Sequence, residues 1–148
     1  MPETIVRPAQ AKDEKQWRNL WAGYIKFYRA EVSEEITANT WKSILDPASK
    51  INALVAEKEG KIIGLCNYLF HDSTWSTKPI CYLQDLFIDP AARGSGAAKK
   101  LILACEEKAK EMGAFRLYWQ TQEFNGPARS LYETIVPRSS FIVYRKNI

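Results

Sequence analysis

The segment Tyr82–Ala104, YLQDLFIDPAARGSGAAKKLILA, decides the predicted fold of this chain. It begins as an apolar run, breaks at Asp89-Pro90, passes through a turn of small residues and continues with helical apolar spacing. The pattern predicts a strand, a loop and a helix in succession. Such a junction directs backbone N–H groups and the positive end of a helix dipole toward one point, which suits a phosphate group.

The residues of the loop define which phosphate motif it is. Gly94 and Gly96 let the backbone approach a ligand without a Cβ atom in the way, and Arg93 offers a fork of charge-assisted donors. A nucleoside-triphosphate loop needs Gly-Lys-Ser/Thr, whereas Ala97 and Ala98 follow Gly96 here. A dinucleotide loop needs three glycines at the start of a βαβ unit. Neither motif fits.

The loop instead resembles the pyrophosphate loop of the GNAT superfamily of N-acetyltransferases. That pattern is Arg/Gln-x-x-Gly-x-Gly/Ala, and Arg93, Gly96 and Ala98 match it behind a strand that ends in Leu86–Ile88. The resemblance implies that acetyl-coenzyme A binds at the loop. It also implies that the strand splays from its neighbour, so that the coenzyme arm pairs with its backbone and a free N–H stabilises the oxyanion.

A second match lies downstream, where Asn125, Ala128 and Tyr132 recur at intervals that place them on one side of a helix. The segment resembles the GNAT pattern Asn-x-x-Ala-x-x-Leu/Phe-Tyr, in which the Asn and Ala lie along the coenzyme and the Tyr protonates the leaving sulfur. A phenol suits that role because its ordinary pKa, about 10, is near that of a thiol. The resemblance thus implies these coenzyme-binding residues: Leu86, Phe87, Ile88, Arg93, Gly94, Ser95, Gly96, Ala97, Ala98, Asn125 and Ala128.

The general base is not decided by the motifs. Many relatives, especially those similar to polyamine acetyltransferases, have Glu-Asp where this chain has Gln84-Asp85. In a regular strand, alternation places Gln84 with Tyr82 and Leu86 and places Asp85 on the other face, although a bulge would relax that limit. Asp85 is one candidate, acting through a water while Gln84 positions the substrate. Solvent or His71 is the other, in which case Asp85 is a structural carboxylate.

Aromatic residues suggest an amine pocket, because aromatic faces attract ammonium groups. The first helix has an apolar face in which Trp17 and Leu20 are expected to be buried, and Tyr24 and Tyr28 to be divided between core and pocket. The substrate-binding candidates are Tyr24, Tyr28, His71, Trp75, Gln84 and Trp119.

Further segments are similar to one GNAT branch, that of the fungal histone, polyamine and D-amino-acid acetyltransferases and the diamine acetyltransferases. That resemblance implies a primary amine acceptor, whether a small amine, a polyamine, an amino acid or a peptide lysine. Because members of the family often pair into dimers, it also implies a homodimer. The segments are His71–Trp75, Cys81–Asp89, Tyr118–Thr121 and Phe141–Lys146.

The remaining chain predicts a mixed α/β (α+β) architecture of the GNAT type, with a mixed, mostly antiparallel central sheet and helices on both faces. After Tyr132 the chain departs from the Gly-Phe/Tyr pair of many relatives and reads ETIVPR, so we expect a different turn there. The predicted order is a strand at 4–8, helices at 13–28 and 33–45, strands at 51–57 and 61–70, a polar connection at 71–79, the central strand and loop, a helix at 97–112, a strand at 115–121, a helix from 125, and a final strand at 141–145.

Size and composition limit the other possibilities. With 148 residues and 46% apolar content, the chain is expected to form one domain, residues 1–148. The net charge of +4 is dispersed, and no apolar segment approaches membrane length, so neither nucleic acid nor a membrane is an expected partner. A polar N-terminus and three unpaired cysteines in apolar patterns predict a cytosolic protein with reduced core thiols. With a single histidine, we expect no metal site.

The function predicted from these features is N-acetyl transfer from acetyl-CoA to a primary amine, directly within a ternary complex, with Tyr132 as acid and Asp85 as base. One alternative is a non-catalytic acyl-CoA-binding regulatory domain, which is favoured if Gln84 means that the base has been lost. A nucleotide-binding module that uses the same loop is the third possibility.

Overall fold

The computed structural model describes residues 2–148, which form a five-stranded sheet in the order β1-β2-β3-β4-β5. Successive strands pair antiparallel, except that β4 and β5 are parallel. The expected mixed, mostly antiparallel sheet with helices on both faces is confirmed. The elements of the described chain are β1 (Ile5–Pro8), α1 (Glu14–Phe27), α2 (Glu34–Leu45), β2 (Ile51–Lys58), β3 (Lys61–Ser73), β4 (Ser76–Ile88), α3 (Ala97–Glu111), β5 (Arg116–Tyr118) and α4 (Gly126–Tyr132), with 3-10 turns at Ala11–Asp13 and Pro90–Ala92.

One face of the sheet, here called the α1 face, is covered by α1 and α2. Trp17 and Leu20 are buried as predicted, and Trp17 stacks on Trp21 with ring centroids 5.3 Å apart. Their spacing of three and four residues forms a single apolar stripe, which packs on Leu65 and Phe87 of the sheet. This face therefore holds α1 over β3 and the C-terminal end of β4.

The opposite face, here called the α3 face, is aliphatic and closely packed. Leu101 and Cys105 of α3 are fully buried against Cys81, and all three cysteines of the chain are free and buried. Gly64 of β3 allows this closeness, because a Cβ atom there would lie 2.6 Å from Cδ1 of Ile88. The helix that follows the predicted phosphate loop is thus fixed directly against the central strands.

The hairpin between β3 and β4 corrects one prediction. Residues 71–79 are not a polar connection: His71 pairs with Ile80 and Ser73 with Ser76, so both strands extend to a short turn at Trp75. Polar residues are compatible with strands wherever their side chains reach water, and the pairing of the two backbones sets the strand ends.

Two predictions near the C-terminus are also corrected. Strand β5 covers only Arg116–Tyr118 rather than 115–121, and residues 141–145 form no strand. A strand needs a neighbouring edge for its N–H and C=O groups, and the segment 141–145 has no such neighbour in the described chain. No helix among residues 2–148 combines the length and the apolar character needed to cross a membrane.

Candidate active site

The central feature of the site is an opening between β4 and β5. These strands pair only at Ile80–Tyr82 of β4, and beyond Tyr82 only β3 lies beside β4 among the described residues. The backbone of Leu83–Ile88 on the β5 side is therefore available to a ligand. Buried backbone groups require partners, so an extended ligand arm that hydrogen bonds to this edge would complete the sheet locally.

A bulge within β4 determines which side chains face α1. Tyr68 of β3 pairs with Leu83 and Asn67 pairs with Asp85, which leaves Gln84 as an extra residue. The bulge reverses the alternation, so Leu83 lies on the α3 face whereas Asp85 lies on the α1 face with Phe87. This is the bulge for which the sequence analysis allowed, and the exposed Gln84 lies at the bulge itself.

Asp85 lies in a polar pocket within an otherwise apolar face. Nδ2 of Asn67 donates to Oδ2 of Asp85 at 3.1 Å, and the hydroxyl of Tyr24 on α1 lies near the same carboxylate. Burial raises the pKa of Asp85, while the hydrogen bonds from Asn67 and Tyr24 act in the opposite direction. A carboxylate that is hydrogen-bonded but lacks a cationic partner is suited to accept a proton.

Asn67 is a site residue that the motif analysis missed. Its side chain is buried, and its Oδ1 atom has no hydrogen-bond partner among the described residues. An unsatisfied buried acceptor is costly, so this atom marks a place where a water or an ammonium group would be stabilised. The signal in the sequence was an asparagine within the apolar strand segment GLCNYLF.

Aromatic side chains surround this pocket. The Tyr24 ring contacts Phe87 and Tyr28 edge-on, with centroids 5.9 and 5.1 Å away. Burial raises the pKa of Tyr24, and the nearby Asp85 charge raises it further, so the phenol stays protonated. Tyr82 also faces this pocket and stacks on Tyr118 at 4.7 Å. Nε2 of His71 lies 3.1 Å from the Tyr118 hydroxyl, at the outer rim.

Trp75 does not join these residues. It is 90% exposed at the turn between β3 and β4, and six strand positions, roughly 20 Å, separate the neighbouring Ser76 from Tyr82. The expected convergence of Trp75 on the pocket is therefore wrong. Trp119 packs instead beside Tyr132.

The predicted phosphate loop follows β4 and has the expected form. Oδ1 of Asp89 accepts a hydrogen bond from the Ala91 N–H at 3.0 Å, which fixes the exit from the strand. Gly94 and Gly96 have φ of 84° and 82°, a conformation that other residues seldom adopt. Gly96 caps α3 without any side-chain acceptor, so the N–H groups of the first helical turn remain available to an anion.

A groove of about 460 Å³ connects this loop with α1. Phe87 forms part of its wall, and the Arg93 guanidinium lies 5.9 Å from the Phe87 ring centroid. Lys26 of α1 lines the same groove, so two cationic side chains border it. The groove thus runs from the loop, where both Arg93 and Asp89 line it, toward the α1 face that carries Asp85.

Helix α4 follows β5, the second strand that borders the opening. Oδ1 of Asn125 accepts from the Ala128 N–H at 3.4 Å and Nδ2 donates to Thr121, so Asn125 is the N-cap of α4. Tyr132 ends the helix with its ring edge-on to Trp119 at 5.6 Å. Burial raises the pKa of Tyr132 to about 12, which keeps the phenol protonated and able to donate a proton.

The comparison with protein families decides the family of the chain. The profile of the Acetyltransferase (GNAT) family matches residues 15–135, which include the opening, the loop and Tyr132. The chain belongs to the GNAT family. It is an N-acetyltransferase, an enzyme that moves an acetyl group to an amine, and not a non-catalytic binding domain.

Relatives of this GNAT chain share sequence over different lengths. It is 31% identical to the D-amino-acid N-acetyltransferase HPA3 of Saccharomyces cerevisiae over 145 residues, which is 97% of this chain and 90% of the relative. It is 32% identical to the thialysine N-epsilon-acetyltransferase of Bos taurus over 74 residues, or 50% of this chain and 43% of the relative.

Solved structures share the fold of this GNAT enzyme. A probable acetyltransferase superposes with a TM-score of 0.85 at 23% identity and covers 97% of both chains. The aminoglycoside N-acetyltransferase AAC(6')-Iy in complex with CoA superposes with a TM-score of 0.83 at 20% identity, over 100% of this chain and 97% of the other. At these identities the likeness concerns the fold alone.

The GNAT residues thus fall into two groups around the opening. The loop, the strand Leu86–Ile88 and α4 form a rim suited to a phosphate-bearing ligand, whereas Asp85, Tyr24 and Asn67 form a polar pocket on the α1 face. No group of three His, Cys, Asp or Glu side chains within residues 2–148 is arranged to hold a metal ion.

Proposed function

We propose that this enzyme transfers the acetyl group of acetyl-CoA directly to the primary amine of a free amino acid, within a ternary complex. The observation that carries the proposal is the position of Asp85: it lies on the α1 face of the strand that opens from β5, without a cationic partner among residues 2–148. The donor and the acceptor then approach β4 from different sides, which suits direct transfer.

The donor is proposed to lie along the opening. Its diphosphate would accept hydrogen bonds from N–H groups of the loop and the first turn of α3, with Arg93 adding positive charge. Its extended arm would pair with the free backbone edge of Leu86–Ile88, and Asn125 and Ala128 would flank it from α4. The availability of these backbone groups supports this placement.

The chemistry follows from the charges that change during transfer. Asp85, directly or through a water, accepts a proton from the ammonium group, and the free amine attacks the thioester carbonyl carbon. A backbone N–H of Leu86–Ile88 stabilises the oxyanion. As the intermediate collapses, the C–S bond breaks, the new C–N bond remains, and Tyr132 gives its proton to the leaving thiolate. The positively charged nitrogen releases its second proton to solvent, which returns a proton to the Tyr132 phenolate.

The alternatives for the base are less well supported. The ring of His71 contacts the Asp72 carbonyl oxygen and the Tyr118 hydroxyl, and it is exposed at the rim. Asp85, by contrast, has a pKa raised by burial, which brings a carboxylate closer to the pH at which it can exchange protons. Gln84 lies at the bulge next to Asp85, and we propose that it positions the acceptor.

An amino-acid acceptor is supported by the relative that matches nearly the whole chain, a D-amino-acid N-acetyltransferase. The aromatic rings of Tyr24, Tyr28 and Tyr82 beside Asp85 suit an ammonium group. The pocket lies where α1 covers the sheet, which favours a small acceptor over a folded protein surface.

We further propose that residues 1–148 act as a single domain, that two copies form a homodimer, and that the enzyme works in the cytosol. Three free, buried cysteines are compatible with a reducing compartment. Neither nucleic acid nor a membrane has a role in this proposal.

The direct test is release of the coenzyme thiol from acetyl-CoA in the presence of D- and L-amino acids, polyamines, lysine analogues and a histone-tail peptide. Turnover with amino acids would support the proposed acceptor. Turnover with polyamines or the peptide alone would contradict it, while leaving the acetyl transfer itself in place.

Replacement of Tyr132 tests the proposed acid. We expect Tyr132→Phe to lower turnover roughly 100-fold while the affinity for coenzyme A changes little, because the variant keeps the ring that packs on Trp119. The matched control is Tyr144→Phe, an exposed tyrosine outside the site. An equal loss of turnover and coenzyme affinity would contradict the assignment of Tyr132 as acid.

A further inference from the structure

His71 and Tyr118 form a hydrogen-bonded pair that the proposed chemistry does not use. Nδ1 of His71 lies 2.8 Å from the Asp72 carbonyl oxygen, and Nε2 lies 3.1 Å from the Tyr118 hydroxyl oxygen. A carbonyl oxygen can only accept a hydrogen bond, so Nδ1 carries the proton of the neutral ring. Nε2 is then an acceptor, and the Tyr118 hydroxyl donates to it. We call His71 and Tyr118 the rim pair.

A second proton on the His71 ring would reverse the hydrogen bond within the rim pair. Nε2 then donates to the Tyr118 oxygen, while Nδ1 stays bonded to the Asp72 carbonyl oxygen, and the Tyr118 O–H group becomes free to donate to a ligand. Burial raises the pKa of Tyr118, so the phenol keeps its proton. In this form the rim pair presents one positive charge and one O–H donor, which together suit a carboxylate.

The rim pair lies on the same face of the sheet as Asp85. Leu117 and Phe70, which precede Tyr118 and His71 in their strands, pack on the α3 face. Because successive side chains of a strand alternate between the faces, Tyr118 and His71 lie on the α1 face, as Asp85 does. Tyr118 is also the last residue of β5 that pairs with β4. The rim pair therefore stands where the opening between these strands begins.

Tyr82 connects the rim pair with Asp85. Its ring stacks on that of Tyr118 at 4.7 Å, and it lies three residues before Asp85 in β4. Burial raises the pKa of Tyr82, and the charges of Tyr118 and Asp85 raise it further, so all three groups are neighbours. Three strand positions correspond to roughly 10 Å along the backbone. An amino acid can span that distance with a side-chain amine, or with its α-amine and the water proposed at Asp85.

A carboxylate that binds in this pocket needs a positive neighbour. Asp85 already places a negative charge there, and like charges repel. A protonated His71 supplies positive charge at the end of the pocket away from Asp85. Arg145 adds to it, because its charge acts against the rise in the pKa of Tyr82. The ionisable groups around Tyr82, beside the rim pair, are Tyr28, Asp85 and Arg145.

We propose that the rim pair binds the carboxylate of the acceptor, so that the enzyme selects amino acids over amines that lack a carboxylate. The Tyr118 hydroxyl donates to the carboxylate. His71 is a positioning residue, which orients this hydroxyl and supplies the charge. The inference rests on the amino-acid acceptor proposed above and gives it a binding subsite, while Asp85 and Tyr132 keep their proposed roles.

The test compares the amino acid that has the highest turnover with its carboxamide, which keeps the amine and lacks the carboxylate. Tyr118→Phe keeps the ring that stacks on Tyr82 and removes the donor. We expect KM for the amino acid to rise roughly tenfold, because a hydrogen bond to a charged group is lost, and KM for the carboxamide to change by about twofold or less. The kcat for both acceptors should stay near that of the wild type, since the reacting groups are untouched.

The variant His71→Gln separates the charge from the hydrogen bond, because glutamine can bond to Tyr118 but cannot gain a proton. Between about pH 8 and pH 6, the wild type should increasingly favour the amino acid over the carboxamide, and His71→Gln should show no such change. The matched control is Tyr144→Phe, an exposed tyrosine outside the site, which should keep the wild-type KM for both acceptors. Thermal unfolding checks that each variant is folded.

The outcomes distinguish the subsite from the proposed function. A wild type that turns over no amino acid would overturn the proposed acceptor, and the subsite with it. A wild type that turns over amino acids but binds them no better than their carboxamides would overturn the subsite alone. The same holds if Tyr118→Phe and His71→Gln keep the wild-type preference. An equal rise in KM for both acceptors would show that the rim pair is structural, which also contradicts the proposal.

Discussion

Folding buries Asp13, at the start of α1, and Asp85, near the C-terminal end of β4, but it gives the two carboxylates different partners. Asp13 is buried and receives two hydrogen bonds from the Arg7 guanidinium, at 2.8 and 2.9 Å, with a third from the Gln10 N–H. Asp85 has neutral neighbours instead: it accepts a hydrogen bond from Asn67 and lies near the Tyr24 hydroxyl. The first carboxylate is neutralised by a cation, and the second is not.

The pKa directions express this difference. The Arg7 hydrogen bonds hold the pKa of Asp13 below its usual range, whereas burial raises the pKa of Asp85. A carboxylate that is paired with a cation has a structural role and is a poor base, because its proton affinity has been lowered. A carboxylate that is held only by neutral donors retains proton affinity. The comparison teaches that the partner, rather than the residue type, separates a structural aspartate from a candidate base.

The largest expected effect is on turnover, in the variant Asp85→Asn. If Asp85 is the base, its loss should lower turnover roughly 100- to 10,000-fold, because proton transfer by a positioned side chain contributes about that much. Stability at neutral pH should be unchanged or higher, since a poorly solvated charge is removed. The measurements are thiol release and urea unfolding. Near-normal turnover would show that solvent or His71 takes the proton.

The matching experiment at the other aspartate should have the opposite outcome. Asp13→Ala breaks a buried ion pair and leaves Arg7 with Glu57 alone, so we expect a loss of about 3 kcal/mol of unfolding free energy. Thermal unfolding should shift down by about 10 °C. Turnover per folded molecule should stay near that of the wild type. A stable Asp13→Ala variant would remove the contrast between the two sites.

The pH dependence of stability should differ in sign at the two aspartates. Asp85 has a folded pKa above its unfolded value of about 3.9, so its contribution is fully present below that pH and is lost as the pH rises through the folded pKa. Asp13 has a lowered folded pKa, so its contribution is present above about pH 3.9 and is lost as the pH falls through the folded pKa.

Urea unfolding of the wild type, Asp85→Asn and Asp13→Asn at a series of pH values measures both contributions. The stability of the wild type relative to Asp85→Asn should fall as the pH rises from 4, and its stability relative to Asp13→Asn should fall as the pH drops below 4. The same sign at both positions would contradict the assignment of different roles.

The sequence alone predicted the parts of this site that are local. The glycine loop, the helix that it starts and the spacing of Asn125 and Tyr132 depend on short segments, and the structure has the same strand, loop and helices. Asn67 beside Asp85 could not be predicted, because a one-residue bulge sets which side chain faces α1. The prediction of a final strand was wrong for a related reason, since strand formation at 141–145 depends on a neighbouring sheet edge that the described chain does not provide.

The smallest expected effect concerns Asn67, whose side-chain N–H donates a hydrogen bond to Asp85. Asn67→Ala removes a hydrogen bond to the carboxylate form, so the pKa of Asp85 should rise further and turnover at the acid end of the pH profile should fall roughly tenfold. Because the lost turnover reflects protonation of the base, it should recover as the pH is raised. The control is Asn52→Ala on β2, whose side chain bonds to the Lys50 carbonyl oxygen at the surface. If Asn67 is only structural, turnover would fall equally at every pH, and the contrast between Asp85 and Asp13 would then rest on the missing cation alone.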